Sequence, residues 1–494
     1  MATPLKSKKI ENIGIYGLIR PAEVDDTLIP DGAVTESINF HFDRKGAATV
    51  RSGIAVLGGT VLTARPSVGF HNALSGTAIV VFSNGSSSTI YSHDGTEWSV
   101  SLDGGTASVR VRFVDFGSYT IAINFIQNTY SSMRFWNAGS SRHWHHTGGP
   151  INPQNMWGRN PQMGDVYKNR IYLAGDTSQE GNPSRLYFSS VISSTGLITW
   201  SPTVDFVDIN PGDGENITAL KRYSTDLLVM KPSYIYRFRT VSVEPDPLIK
   251  IGTRSHESVI EGNRGLYFHH DSGFYRYSGE YPIIISRSIS DVVIAIPFSQ
   301  YDDIVAWNDS DHIYWSVGNV TVTESGLSET WRNVVLRYTE SSDIWTILSY
   351  ANDIRRGMTY TRGTTLSRLV ALDNGSVATF DSGSTDLGEP IEFRLRTRWY
   401  DAGEIAERKI LEEIVAVTEK QQTAQLFYQV DENPAWYSLG QLKSMISFFD
   451  KLSIRFHRIR FRVGGITRFE APILRSINLT KGINEGMVKE NRYA

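Results

Sequence analysis

The tetrapeptides Ile90-Tyr91-Ser92-His93, Met133-Arg134-Phe135-Trp136, Arg185-Leu186-Tyr187-Phe188, Ile235-Tyr236-Arg237-Phe238, Phe274-Tyr275-Arg276-Tyr277, Val335-Leu336-Arg337-Tyr338 and Val377-Ala378-Thr379-Phe380 are versions of one short strand. Large side chains alternate with variable ones, and all seven end in His, Trp, Phe or Tyr before a polar or charged residue. The spacing from one to the next runs from 39 to 61 residues. Trp98, Trp144, Trp200 and Trp345 follow several copies. A period near 40–50 residues built from short strands is the mark of a β-propeller. The expectation is an all-β chain: a propeller of six or seven degenerate blades over residues 67–384, followed by a C-terminal β-sandwich.

Outward from each copy the pattern holds. Ala78-Ile79-Val80-Val81-Phe82 and Asp226-Leu227-Leu228-Val229-Met230 are apolar runs of strand length, as strands buried on both faces require. Asn84-Gly85, Asp94-Gly95 and Asn374-Gly375 supply hairpin turns. The 23 Tyr, 22 Phe, 11 Trp and 42 Gly suit pleated surfaces and tight turns better than helices. With no cysteine, disulfides and thiolate metal sites are excluded. No run approaches the ~20 apolar residues of a membrane span, and the polar, lysine-containing start lacks the apolar core of a secretory signal.

Beyond Gly383 the period becomes two. Arg394, Arg396 and Arg398 alternate with Phe393, Leu395, Thr397 and Trp399. Arg455, Arg458, Arg460 and Arg462 lie among Ile454, Phe456, Ile459, Phe461 and Val463. One apolar and one arginine face means half-buried antiparallel strands. Residues 385–480 are therefore read as the sandwich, 1–66 as an N-terminal β segment contributing to the same platform, and 481–494 as a polar tail. Glu407–Val417 fits helix or strand. Residues 391–494 carry 17 Lys+Arg against 13 Asp+Glu, whereas residues 1–390 carry 32 against 39. That asymmetry suits head-to-tail contact between copies, and neither part is basic enough for a dedicated nucleic-acid binder.

Residues with chemical potential are few. His143 and His145 would share one strand face, as two metal ligands would, but no third ligand is identifiable and packing is the simpler expectation. Ser92 to Trp98 is one residue short of an Asp-box turn. Asp213, Glu215, Asp302, Asp303, Glu412 and Glu413 are carboxylates without a recognisable catalytic partner. No nucleophile elbow, phosphate loop or zinc-binding helix is present. Catalytic, cofactor-binding and metal residues are thus expected to be none. The two arginine ladders are the pointed feature, facing neighbouring subunits, a nucleic-acid backbone, or cross-strand carboxylates within the chain.

The opening Leu28-Ile29-Pro30-Asp31-Gly32, Ser37-Ile38-Asn39-Phe40, Asp43 to Ala47 and Arg51-Ser52-Gly53 resembles the start of tail proteins of tailed phages. The segment from Leu227 to Tyr236 and the strand from Phe427 to Asp431 before Trp436 are similar to parts of the same family, the tail nozzle or tail-hub proteins of short-tailed phages. The resemblance implies a virion protein of the tail, made in the host cytoplasm and not an enzyme. It implies a homohexameric ring below the portal and adaptor ring, near tail fibres or spikes, through which double-stranded DNA is retained and then ejected. No cofactor and no membrane span are implied. The competing expectation is a carbohydrate-binding or carbohydrate-cleaving propeller. Residues 321–330 read as a large loop suited to gating or docking.

Overall fold

The computed structural model describes residues 6–11, 13–20, 28–43, 47–59, 65–106, 110–128, 131–137, 144–145, 156, 158–179, 181–191, 198–239, 246–324, 326–401, 408–419, 424–431, 433–467 and 473–483. Among the described residues seven four-stranded antiparallel blades follow one another. Each of the seven tetrapeptides lies in the third strand of its blade, from Ser87–His93 in blade one to Val377–Phe380 in blade seven. Alternation there presents one face to each neighbouring blade, which is why large residues recur. The second strands Ala78–Ser83 and Asp226–Met230 are buried at every position.

The ring closes through the N-terminal segment. Blade seven consists of Ile354–Arg362, Thr365–Leu372, Val377–Phe380 and, as its outer strand, Ile54–Val56. Its innermost strand packs against Ser67–Asn72, the innermost strand of blade one. The expected boundary at residue 66 therefore cuts through blade seven. Aromatic contacts fill the spaces between blades: Phe274 of blade five lies 4.7 Å from Trp315 of blade six, and Trp307 of blade six lies 5.6 Å from Phe380 of blade seven. Each such buried side chain contributes roughly 1.5–3 kcal/mol.

The centre of the propeller is plugged. Arg112, on the innermost strand of blade two, donates from Nε and Nη2 to both oxygens of Glu257 at 2.7 and 2.8 Å. Glu257 sits in the turn His256–Ser258 that precedes blade five, so this fork reaches across the axis. Arg356 of blade seven is the second cation beside it. Burial alone would raise the carboxyl pKa of Glu257, but Arg112 and Arg356 outweigh it and hold the group well below the usual range.

Two further sheets form the sandwich. One contains Lys6–Glu11, Phe40–Phe42, Ala48–Val50, Lys409–Glu419, Met445–Phe449, Ile454–Phe456 and Ile473–Ile483. The other orders Val34–Ile38, Glu392–Thr397, Ile459–Ile466, Gln425–Val430 and Tyr437–Gln441, and it continues blade six because Ile38 pairs with Ile347. Phe40, Leu395, Leu411, Ile414, Leu426, Phe461 and Ile477 form the core between the sheets. Of the ambiguous segment 407–417, Glu407 lies outside the described residues and residues 409–417 belong to the strand Lys409–Glu419; the last strand runs past residue 480, and residues 484–494 of the expected tail lie outside the described residues.

Arg51 clasps the two parts together. Its five N–H groups all find acceptors: Asn39 Oδ1 (2.8 Å), Ser52 O (2.9 Å), Asp386 Oδ1 (2.8 Å), Asp386 Oδ2 (2.6 Å) and Ser349 O (2.6 Å). Ser349 belongs to blade six and Asp386 to the extension of blade seven, while Asn39 Nδ2 donates to Glu392 O of the sandwich at 2.6 Å. Tyr350 covers the guanidinium, 3.9 Å from ring centre to Cζ. A Cβ on Gly53 would lie 1.8 Å from the carbonyl oxygen of Thr385, which explains the glycine two residues after the arginine.

Three histidines lie buried in this framework. Burial, reinforced by Arg337, holds His41 neutral; burial pushes His256 and His269 down to about 3. In the unfolded chain each titrates near ~6.5. The folded values are lower, so between these limits the unfolded state binds more protons and acid favours unfolding. The melting temperature should be level above about pH 6.5 and fall steadily below it. His269 is packed against Phe274 and Tyr301, so His269→Phe should make that fall shallower. A melting temperature independent of pH from 7 to 4 would rule this out.

Candidate functional site

The arginine face of the second sandwich sheet forms the floor of a groove of about 770 Å³. Its roof is a hairpin: the middle strands of blade six, His312–Glu324 and Leu327–Thr339, run 13 residues each and overhang the sheet. Within residues 321–330, expected as a loop, 321–324 pair with 327–330 as part of this hairpin, with Thr321 opposite Thr330. A second cavity of about 600 Å³ adjoins the first, sharing Glu329, Trp331, Arg394 and Arg462.

Five of the seven predicted arginines meet here: Arg394, Arg396, Arg458, Arg460 and Arg462. Arg398 lies at the strand end, paired with Asp31 and set 5.0 Å from the Tyr400 ring. Arg455 is on Ile454–Phe456 in the opposite sheet, exposed and away from the groove.

Cross-strand pairing aligns Glu36 with Arg396, Arg396 with Arg462, and Arg462 with Phe427, giving one row across four strands. Two guanidiniums directly opposite repel. The roof supplies the missing negative charge. Glu324 accepts from Arg396 at 2.7 Å and also pairs with Arg20 at 3.2 Å and Arg460 at 3.4 Å. Burial would raise its pKa, yet these three cations, Arg396 foremost, draw it down to about 2. Arg394 is held between Glu36 and Glu329, and Arg20 also binds Asp291.

Tryptophans interleave with the ladder on Ile459–Ile466. Trp399 lies 4.8 Å from the Arg458 guanidinium and 4.4 Å from that of Arg460; Trp436 lies 5.4 Å from Arg460 and 4.5 Å from Arg462. Such stacks orient guanidiniums and are worth roughly 0.5–2 kcal/mol each. The groove thus offers arginines of fixed orientation, with its acidic residues Glu36, Asp291, Glu324 and Glu329 engaged by guanidiniums. Its chemistry is charge recognition.

Sequence reasoning found the floor and missed the roof. Glu324 and Glu329 lie about 70 residues before Arg396 and Arg394, and no local pattern joins them. Trp436 and Trp399 adjoin the ladders, and their aromatic character was the available signal.

The other candidates have structural partners. Asp213 takes two hydrogen bonds from the buried Lys231, at 2.7 and 2.9 Å, and Asp303 pairs with Arg110 at 2.7 Å. Asp94 caps its own turn through Thr96 and Glu97. His143 and His146 lie outside the described residues; Trp144 stacks on Trp136 and donates to Ser101. Among the described residues no three His, Asp or Glu side chains converge as a metal site requires, and no helix is long and apolar enough to cross a membrane.

No protein-family model and no curated protein matches the chain. Among solved structures it is similar to YCF48 from Cyanidioschyzon merolae, with a TM-score of 0.38 and 11% identity over 65% of this chain and 97% of that one. Virginiamycin B lyase from Staphylococcus aureus aligns at 0.41 and 13%, over 66% and 97% of the two chains. Sqt1 from Saccharomyces cerevisiae aligns at 0.41 and 7%, over 67% and 100%. These likenesses are loose, and the propeller stands on the seven sheets of this chain.

Proposed function

We propose that the chain is a structural protein of a short-tailed phage tail, assembling as a homohexameric ring through which genomic DNA is held and then ejected. The carrying observation is the outer strand Met445–Phe449 of the sandwich. Met445, Ile446 and Phe448 are 72, 46 and 67% exposed on an edge that, among the described residues, pairs on one side only. Monomeric proteins protect such edges with charge, proline or bulges; a ring covers each one with the next copy. The Arg51 clasp, built from residues that carry the phage-tail resemblance, gives propeller and sandwich the rigidity a conduit needs.

The plugged axis gives the assembly its geometry. DNA would pass through the lumen of the ring, lined by platform or propeller exteriors, and not along the propeller axis. An adaptor or portal ring above and fibres or spikes alongside are the partners this role requires. A carbohydrate-binding role draws less support, because Trp399 and Trp436 are stacked by arginines on which a sugar would otherwise have to compete.

Mass measurement of the purified chain tests the reading. A species six times the 55.3 kDa chain mass is expected, and Phe448→Glu should shift it toward monomer. Specific glycan binding by a stable monomer would replace this reading with the carbohydrate one.

A further inference from the structure

The cross-strand row leaves one charge over. Glu36 and Glu324 serve Arg394, Arg396, Arg20 and Arg460, whereas Arg462 has no ion-pair partner among the described residues. It is half-buried, it lines both cavities, and Phe427 (5.1 Å) and Trp436 (4.5 Å) hold its plane. Burial, and then the neighbouring cation Arg394, act against its charge, and Glu36 and Glu329 offset this only in part. An oriented guanidinium in this setting favours a planar carboxylate, which it can bind through two parallel hydrogen bonds.

We propose that Arg462 receives a single Asp or Glu side chain of a second copy of the chain, which enters the groove between the blade-six hairpin and the sandwich. The inference rests on the assembly reading above and names a contact within it. The chain carries the complementary charge, since residues 1–390 hold 39 acidic against 32 basic residues. Two other anions fit less well. A DNA backbone is a continuous run of phosphates and would meet Glu36, Asp291, Glu324, Glu329 and Asp431 at successive positions, whereas a single carboxylate need reach only Arg462. An acidic sugar would find Trp436 already stacked on Arg460 and Arg462.

The test compares the assembly of the full chain with Arg462→Met, Arg462→Glu and Arg455→Glu by mass photometry across a dilution series. Methionine keeps the apolar stem between Phe427 and Trp436 and removes the charge. The midpoint for ring dissociation should rise at least about tenfold for Arg462→Met, with Arg462→Glu largely monomeric. Arg455→Glu, on the far sheet, should match the parent chain. Equal melting temperatures for Arg462→Met and the parent separate assembly from folding. If both Arg462 variants form rings at the parent's midpoint, the contact is wrong and the assembly reading survives. If the parent chain is monomeric at every concentration, both fall. Loss of DNA-oligonucleotide or sialyl-lactose binding in Arg462→Met, with rings intact, would reassign the site to that anion.

Discussion

Glu257→Ala should destabilise the propeller by about 3–5 kcal/mol, the cost of breaking a buried ion pair by removing one partner. The substitution strips the counter-charge from Arg112 and Arg356 in the middle of the ring. Arg112 would keep only its bond to the Gln162 carbonyl, 2.6 Å away. Arg356 is already buried enough to lower its pKa, and Glu257 is the carboxylate that most offsets this. Glu257→Gln keeps the shape and should lose less. Replacing Glu257 and Arg112 together by leucine and methionine should recover part of the loss, because Arg112 is then no longer a buried charge without its partner, while Arg356 still lacks Glu257 and keeps the recovery incomplete. Denaturant midpoints for the two single variants and the double variant give the coupling. A loss under about 0.5 kcal/mol for Glu257→Ala would mean that the axis is not held by this fork.

Arg51→Ala should cost a similar amount, about 3–5 kcal/mol, and by a different route. It leaves the Asp386 carboxylate buried with its two strongest donors gone, and it frees Asn39 Oδ1 and the Ser349 carbonyl. Arg51→Lys keeps the charge but has three donors on a single point, against a fork of five, so it should restore less than half of the loss. Because these acceptors belong to blade six, the blade-seven extension and, at Asn39, the link between the two sandwich sheets, cooperativity should suffer as well. The unfolding transition should split, with the closing strand Ile54–Val56 losing hydrogen-exchange protection before the inner strands. Unchanged protection of Ile54–Val56 in Arg51→Ala would assign closure to the strand pairing alone.

The blades were readable in the chain because each third strand is squeezed between two neighbours and must alternate large side chains. Their closure was not: Ile54-Ala55-Val56 is three residues long, and its partner Val377–Phe380 lies more than 300 residues away. Lys409–Glu419 could be read as helix because its register shifts between Leu411 and Glu413, which breaks the alternation and puts Leu411 and Ile414 three apart on the same buried side. The hairpin around Thr321–Thr330 looked like a loop because its apolar side is short, only Val320, Val322 and Trp331, and the residues between and around them are polar. The arginine ladder was legible from its period of two. Its meaning depended on Glu36, Glu324 and Glu329, which only the folded chain brings to it. Reversing Arg458, Arg460 and Arg462 together would therefore break contacts within the chain, and Arg462 alone is the informative position.

Negative-stain imaging of the purified full chain at micromolar concentration tests the central claim most directly. Ring-shaped particles of six-fold symmetry are expected, with a central opening wide enough for duplex DNA and the plugged propellers disposed around it. Single seven-bladed discs with one attached sandwich, unchanged as the concentration is raised, would contradict it.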